Sequence, residues 1–190
     1  MHVFPQPVLR TSRLLLRPFS EDDIDDVRLA CDDEATQRWL PLPRPYTREA
    51  AAWWCREGAA QALRSGDGVQ FAAEELDGGR LVGAFGLKST DWRDGRTEVG
   101  YWVGPWARGR GLAPEALRAV CVWALRETPV HRISLLAATG NTASQRVAAK
   151  AGFVREGVLR GAGHTHTGRV DCVVYGLVPE DLPAAPEATP

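Results

Sequence analysis

The chain has 190 residues, 44% of them hydrophobic and 25% charged, a balance that suits one soluble domain with a sizeable core. A formal net charge of −1 gives no bulk attraction to nucleic acid or to an anionic membrane, so neither is expected as a partner. Cys31, Cys55, Cys121 and Cys172 are too scattered for a zinc knuckle or a redox pair; they read as free thiols in a reducing cytosol, with no metal.

Met1 to Arg13 lacks the apolar run of a signal peptide and no stretch reaches membrane-spanning length, so a cytoplasmic location is expected. Leu14 to Arg17 reads as a first strand, stopped by Pro18. Ser20-Glu21-Asp22-Asp23 opens a helix running to about Cys31, with acids in its first turn. Trp39 to Pro45 is proline-rich and predicted irregular. Thr47 caps a second helix through Ala50 to Leu63, ended by Ser65-Gly66. Gln70 to Glu74 and Leu81 to Gly86 form a hairpin around Asp77-Gly78-Gly79, and Thr97 to Val103 is the fourth strand. From Leu112 onward, Ala113, Ala116, Leu117, Val120, Cys121 and Ala124 repeat at helical spacing. Ile133 to Ala138 is the fifth strand; Asn141 to Ala151 is a helix closed by Gly152; Val154 to Leu159 and Val170 to Val178 are closing strands. One domain is expected over residues 1–182, followed by a disordered Pro/Ala-rich tail over 183–190.

The most informative stretch is Trp102 to Ala113, where a strand enters a glycine- and arginine-rich loop that opens a helix. Unpaired amides and the helix dipole make such a junction an anion site. Gly109 and Gly111 allow close backbone approach, and Arg108 and Arg110 offer charge suited to phosphate oxygens. The loop lacks the Gly-x-x-x-x-Gly-Lys-Ser/Thr pattern of nucleoside triphosphatases. A dinucleotide fingerprint would need glycine where Pro114 stands. A plain glycine turn before a surface helix also fits the loop taken alone.

Arg108-x-x-Gly111-x-Ala113 resembles the coenzyme-A-binding motif of the GNAT acetyltransferase superfamily. Glu98-Val99-Gly100-Tyr101, Glu115-Ala116-Leu117, Gly140 to Ser144 and Lys150-Ala151-Gly152-Phe153 resemble its RimJ/RimL-like branch, as do Arg13-Leu14-x-Leu16-Arg17 and the Trp53-Trp54 helix. The resemblance spans Leu9 to Leu177. It implies a mixed α/β fold whose mostly antiparallel central sheet, flanked by helices, splays between the fourth and fifth strands. It also implies an N-acetyltransferase with acetyl-CoA as donor and a primary amine, a protein N-terminus or a small molecule, as acceptor. Pro114 departs from the branch, which often has a hydroxyl residue there. Proline suits a first helical turn but removes one amide, so the donor's diphosphate must rest on residues 109 to 113.

On this resemblance Trp102, Val103, Arg108, Gly109, Arg110, Gly111, Leu112, Ala113, Asn141 and Ser144 hold the donor, and an amide near Val103 stabilises a developing oxyanion. The acceptor amine must shed a proton, since an α-amine titrates near pH 8. Glu98, a lone acid entering an apolar strand, is the candidate base, against a solvated strand end paired with an arginine. Ser144 is the candidate proton donor to the leaving thiolate, against a purely capping role with Asn141. No tyrosine stands in the helix after Asn141, so the tyrosine acid of other branches is missing there. Trp39 and His164 are candidate acceptor contacts; His164-Thr165-His166 reads as a solvated loop between the last strands. An open sheet edge near the C-terminus would allow a homodimer. A non-catalytic acyl-CoA-binding module and a nucleotide-binding oxidoreductase are the competing functions.

Overall fold

A computed structural model describes residues 2–183, so nearly all of the expected tail lies outside the described residues. β1 (Leu9–Arg10) and β2 (Leu14–Arg17) lead into α1 (Ile24–Cys31), α2 (Glu34–Trp39), α3 (Arg48–Trp53) and α4 (Ala59–Ser65). Then come β3 (Val69–Glu75), β4 (Leu81–Asp91), β5 (Arg96–Val103), α5 (Leu112–Glu127), β6 (Arg132–Ala138), α6 (Thr142–Ala151), β7 (Val154–Thr165) and β8 (Gly168–Leu177). The strands form one eight-stranded sheet in the order β1-β2-β3-β4-β5-β6-β8-β7, antiparallel except where β5 meets β6.

Strand alternation assigns the two faces. Phe71 and Ala73 of β3 join Phe85, Leu87 and Val99 under the apolar stripe of α5, where Leu112, Leu117, Val120 and Cys121 are fully or almost fully buried. Ala72 between them turns to the other face and packs with Ile24, Val27, Tyr46, Ala51 and Leu81 beneath α1 and α3. Arg17 on β2 ties that face to the sheet: it donates to Asp23 at 2.8 and 2.9 Å and to Glu74 at 2.7 Å.

Two expectations are corrected. Trp39, expected to open an irregular stretch, instead ends α2, which Asp33 caps by accepting from the Thr36 amide at 3.0 Å. The closing strands run longer than expected, so His164 is not in a loop but in β7, opposite Arg169 of β8, with the turn confined to residues 166–167.

The feature that positions the site is the β5–β6 junction. These parallel strands pair at Arg96↔Arg132, Thr97↔Ile133 and Glu98↔Ser134, then part. Beyond Glu98, β5 keeps its ladder to β4 as far as Val103, while β6 keeps its ladder to β8 as far as Ala138. The sheet is therefore split between the fourth and fifth of the predicted strands.

Candidate active site

A cavity of about 500 Å³ fills the split. Its walls are the diverging ends of β5 and β6, the starts of α5 and α6, and α2. The Gly104 amide donates across to Val82 on β4 at 2.9 Å. Because successive amides of a strand point to opposite sides, those of Val103 and Tyr101 face the split, where β6 no longer accepts them.

At one end lies the loop before α5. Gly109 and Gly111 both have φ of 75°, a left-handed conformation that a side chain would strain. A Cβ on Gly109 would meet nothing within 4 Å, so its backbone is open to an approaching group. Among the described residues, no main-chain amide from Arg108 to Ala113 donates a hydrogen bond. Leu112, 1% exposed, anchors the helix start beneath them. Unpaired amides at the positive end of a sixteen-residue helix are suited to an anion.

The loop's arginines do not match the sequence expectation. Arg108 borders the cavity, but its Nη2 donates to Asp33 Oδ2 at 2.6 Å and Thr36 Oγ1 at 2.9 Å, and its Nε to the Val103 carbonyl at 3.3 Å. Burial pushes the Asp33 carboxyl up, but Arg108 and the Thr36 amide outweigh it and hold it below the usual range. Arg110 grips both carboxylate oxygens of Glu75 and does not line the cavity. Arg13, which sequence reading gave no role at this site, braces the loop from outside. Its guanidinium donates to the carbonyls of Arg110 at 3.0 Å and Gly111 at 3.1 Å, and to Glu115 at 2.7 Å. The loop carbonyls of Arg110 and Gly111 are thus engaged, while the loop amides keep no internal partner.

Across the split from that loop, Asn141 caps α6, its Oδ1 accepting the Ser144 amide at 3.1 Å. Ser144 Oγ lies 2.9 Å from the hydroxyl of Tyr101, a β5 residue with no assigned role in the sequence reading. Burial pushes the Tyr101 phenol up to about 12, against a smaller opposing pull from Ser144. Glu98 lines the cavity on the opposite face of β5 and bonds to Lys88, not to an arginine, at 2.9 Å. Trp102, Val103, Leu112 and Ala113 also line it. Trp39 closes the α2 side, with its ring against Gly140, where a Cβ would lie 3.1 Å away. His164 is exposed on the β7–β8 hairpin and does not border the cavity.

Among the described residues there is no cluster of three or more His, Cys, Asp or Glu able to hold a metal, and no helix long and apolar enough to cross a membrane.

Residues 13–154 match the acetyltransferase (GNAT) domain, and the chain belongs to that family. It is an N-acetyltransferase with acetyl-CoA as its acyl donor. The uncharacterised N-acetyltransferase YoaA of Bacillus subtilis is 28% identical over 172 residues, covering 90% of this chain and 97% of that protein. Mycobacterium smegmatis RimJ, solved with CoA-disulfide, superposes with a TM-score of 0.82 at 23% identity over 95% of this chain and 90% of its own. The microcin C7 self-immunity acetyltransferase MccE, solved with acetyl-CoA and AMP, gives a TM-score of 0.80 at 16% identity over 88% of this chain and 93% of its own. At these identities the solved structures establish the fold.

Proposed function

We propose that this chain moves the acetyl group of acetyl-CoA directly to a primary amine, with the N-terminal amine of a protein as the favoured acceptor class. The observation that carries the reading is the row of undonated amides from Arg108 to Ala113, opening onto a split sheet. Five of those residues have amides suited to a diphosphate without help from Pro114, which has none. The outward amides of Tyr101 and Val103 suit the extended arm of the donor, and the likeness in fold to RimL, a ribosomal L7/L12 alpha-N-protein acetyltransferase, supports the acceptor class.

When bound, acetyl-CoA supplies the thioester carbonyl that the amine attacks. The chain's own residues would do the rest. Glu98 takes the amine's proton, its carboxylate kept in place by Lys88 Nζ. The Val103 amide, aimed at the split, offers a donor where negative charge develops. As the C–S bond breaks, the Ser144 hydroxyl would give its proton to the leaving sulfur, and Tyr101 Oη, protonated throughout neutral pH, holds that hydroxyl in position. Trp39 and Leu40 wall the acceptor side against water.

The test is an acetyl-CoA assay over N-terminal peptides and small amines, repeated with Glu98→Gln and Ser144→Ala. Loss of a general base lowers kcat/KM by roughly 10²–10⁴, and Ser144→Ala is expected to lower kcat more than the KM for acetyl-CoA. Binding without turnover of any amine would replace this reading with a non-catalytic acyl-CoA module. Unchanged kcat/KM in both variants would remove the two catalytic assignments.

A further inference from the structure

Gly100 lines the cavity in the middle of β5, between Glu98 and Trp102 on the same face of the strand. Glycine weakens a strand interior and is found there where something needs the room. For two glycines across the ladder on β4, that something is the protein itself. A Cβ on Gly83 would lie 2.1 Å from the Trp102 carbonyl oxygen, and one on Gly86, which pairs with Gly100, 2.2 Å from Gln70 Oε1. Gly100 has no such reason. Its φ is not positive, and among the described residues a Cβ there would meet only Lys88 Cε, at 3.6 Å.

The room over Gly100 is therefore left to the cavity, and its surroundings say what it suits. Glu98 and Trp102 bound it along β5, each about 7 Å away at strand rise. Glu98 pairs with Ser134 just before the split, so alternation puts Leu136 and Ala138 of β6 on this same face, across the gap. Lys88, bonded to Glu98 at 2.9 Å, borders the room from β4. Trp102, Leu136 and Ala138 make the remaining walls apolar. Tyr101 and Ser144 meet on the opposite face of β5. A group passing over Gly100 thus reaches the split from the Glu98 side, away from the pair assigned to the leaving sulfur.

We propose that Gly100 determines acceptor specificity: the room left by its missing side chain receives the carbon that bears the acceptor amine, together with the side chain on that carbon. The inference rests on the acyltransfer reading, in which Glu98 takes the amine's proton. With its nitrogen hydrogen-bonded to Glu98 and facing the split, an acceptor has that carbon over the neighbouring position of the strand, where any side chain of β5 would compete with it for space. The apolar walls suit a small or apolar first residue, and each carbon added at position 100 takes volume from it.

Steady-state kinetics with peptides that differ only in their first residue, glycine, alanine, serine or leucine, test this in the wild type, Gly100→Ala and Gly100→Val, beside calorimetric titration of CoA. The ratio of kcat/KM between the smallest and the largest accepted first residue should widen by roughly 10- to 200-fold in Gly100→Ala, the worth of one methylene in an apolar pocket. In Gly100→Val it should widen further. The change should fall on the acceptor's KM, with CoA affinity as in the wild type. Tm should not drop, because both residues suit an unstrained strand position better than glycine. A lower Tm would mean that the fold itself requires glycine here and would overturn the proposal. So would an unchanged ratio, an equal loss for every peptide, or a wild type that accepts glycine alone. Weaker CoA binding in the variants would assign the room to the donor instead. A wild type that binds CoA but acetylates no peptide would overturn the acceptor reading itself, before any variant is compared, and the proposal with it.

Discussion

Tyr101 and Ser144 come from different elements, and their 2.9 Å contact is made by β5 and α6 closing on the same cavity. A phenol pushed up to about 12 by burial stays protonated at pH 6–9, so it donates or orients without itself titrating there. Its sign in stability follows. The folded value lies above the unfolded 10, so burial of the neutral phenol contributes fully below pH 10 and is lost as pH rises through 12. Tyr101→Phe should lower kcat by about tenfold, one hydrogen bond's worth, with the KM for acetyl-CoA little changed. The limbs of the pH–rate profile between 6 and 9 should stay where they are. A shifted limb would mean that Tyr101 titrates in the reaction; an unchanged kcat would leave it a packing residue. Nothing in the sequence distinguishes Tyr101 from its neighbours Trp102 and Val103. Its role arises from a long-range contact, and strand periodicity gives only the face a residue takes. Arg108 and Arg110 misled for the same reason: a guanidinium beside a glycine loop reads as a phosphate ligand until Asp33 and Glu75 are found beside it.

Among elements, the loop before α5 depends on β1 and β2, nearly a hundred residues earlier in the chain. Glu115 accepts from Thr11 Oγ1 at 2.6 Å, Ser12 Oγ at 3.1 Å and the Arg13 amide at 3.1 Å, as well as from the Arg13 side chain. Burial pushes this carboxyl up, but the hydrogen bonds from Thr11, Arg13 and Ser12 outweigh it and hold it below the usual range. Arg13 then reaches the carbonyls of Arg110 and Gly111. Arg13→Ala should raise the KM for acetyl-CoA about fivefold to tenfold, the worth of one or two hydrogen bonds to charged groups, while leaving kcat close to that of the wild type. Steady-state kinetics over donor concentration decide it, and an equal fall in kcat would point instead to a disturbed sheet. The elements carrying this brace were mostly legible. The β3–β4 hairpin announces itself by Asp77-Gly78-Gly79, α5 by its apolar stripe, and α6 by its Asn141 cap and Gly152 stop. The elements that escaped were short. Two-residue β1 and six-residue α2 offer too few positions for a period to show, although Asp33 was a cap signal in plain view.

At the scale of the molecule, the sheet is two ladders joined weakly at their middle. β1 to β5 form one and β6, β8 and β7 the other, and three parallel pairs between Arg96 and Glu98 connect them. The split was expected from family resemblance alone, since composition and spacing say nothing about where two neighbouring strands part. Its physical consequence is that the facing amides of Tyr101 and Val103 lack a strand partner, so a ligand lying in the split would bind both halves at once. Such a ligand must stabilise the native state by mass action, by about 2.7 kcal/mol at a hundredfold excess over Kd. For a chain of this size that raises Tm by roughly 5–10 °C. Hydrogen exchange should locate the gain. Without CoA the Tyr101 and Val103 amides should exchange much faster than those of Phe85 and Leu87 in the paired ladder of β4; with CoA they should slow together with the loop from Gly109 to Ala113. Protection confined to that loop would mean that the donor is held by its phosphates alone, leaving the split empty and the chemistry assigned to Val103 and Ser144 without a substrate to act on.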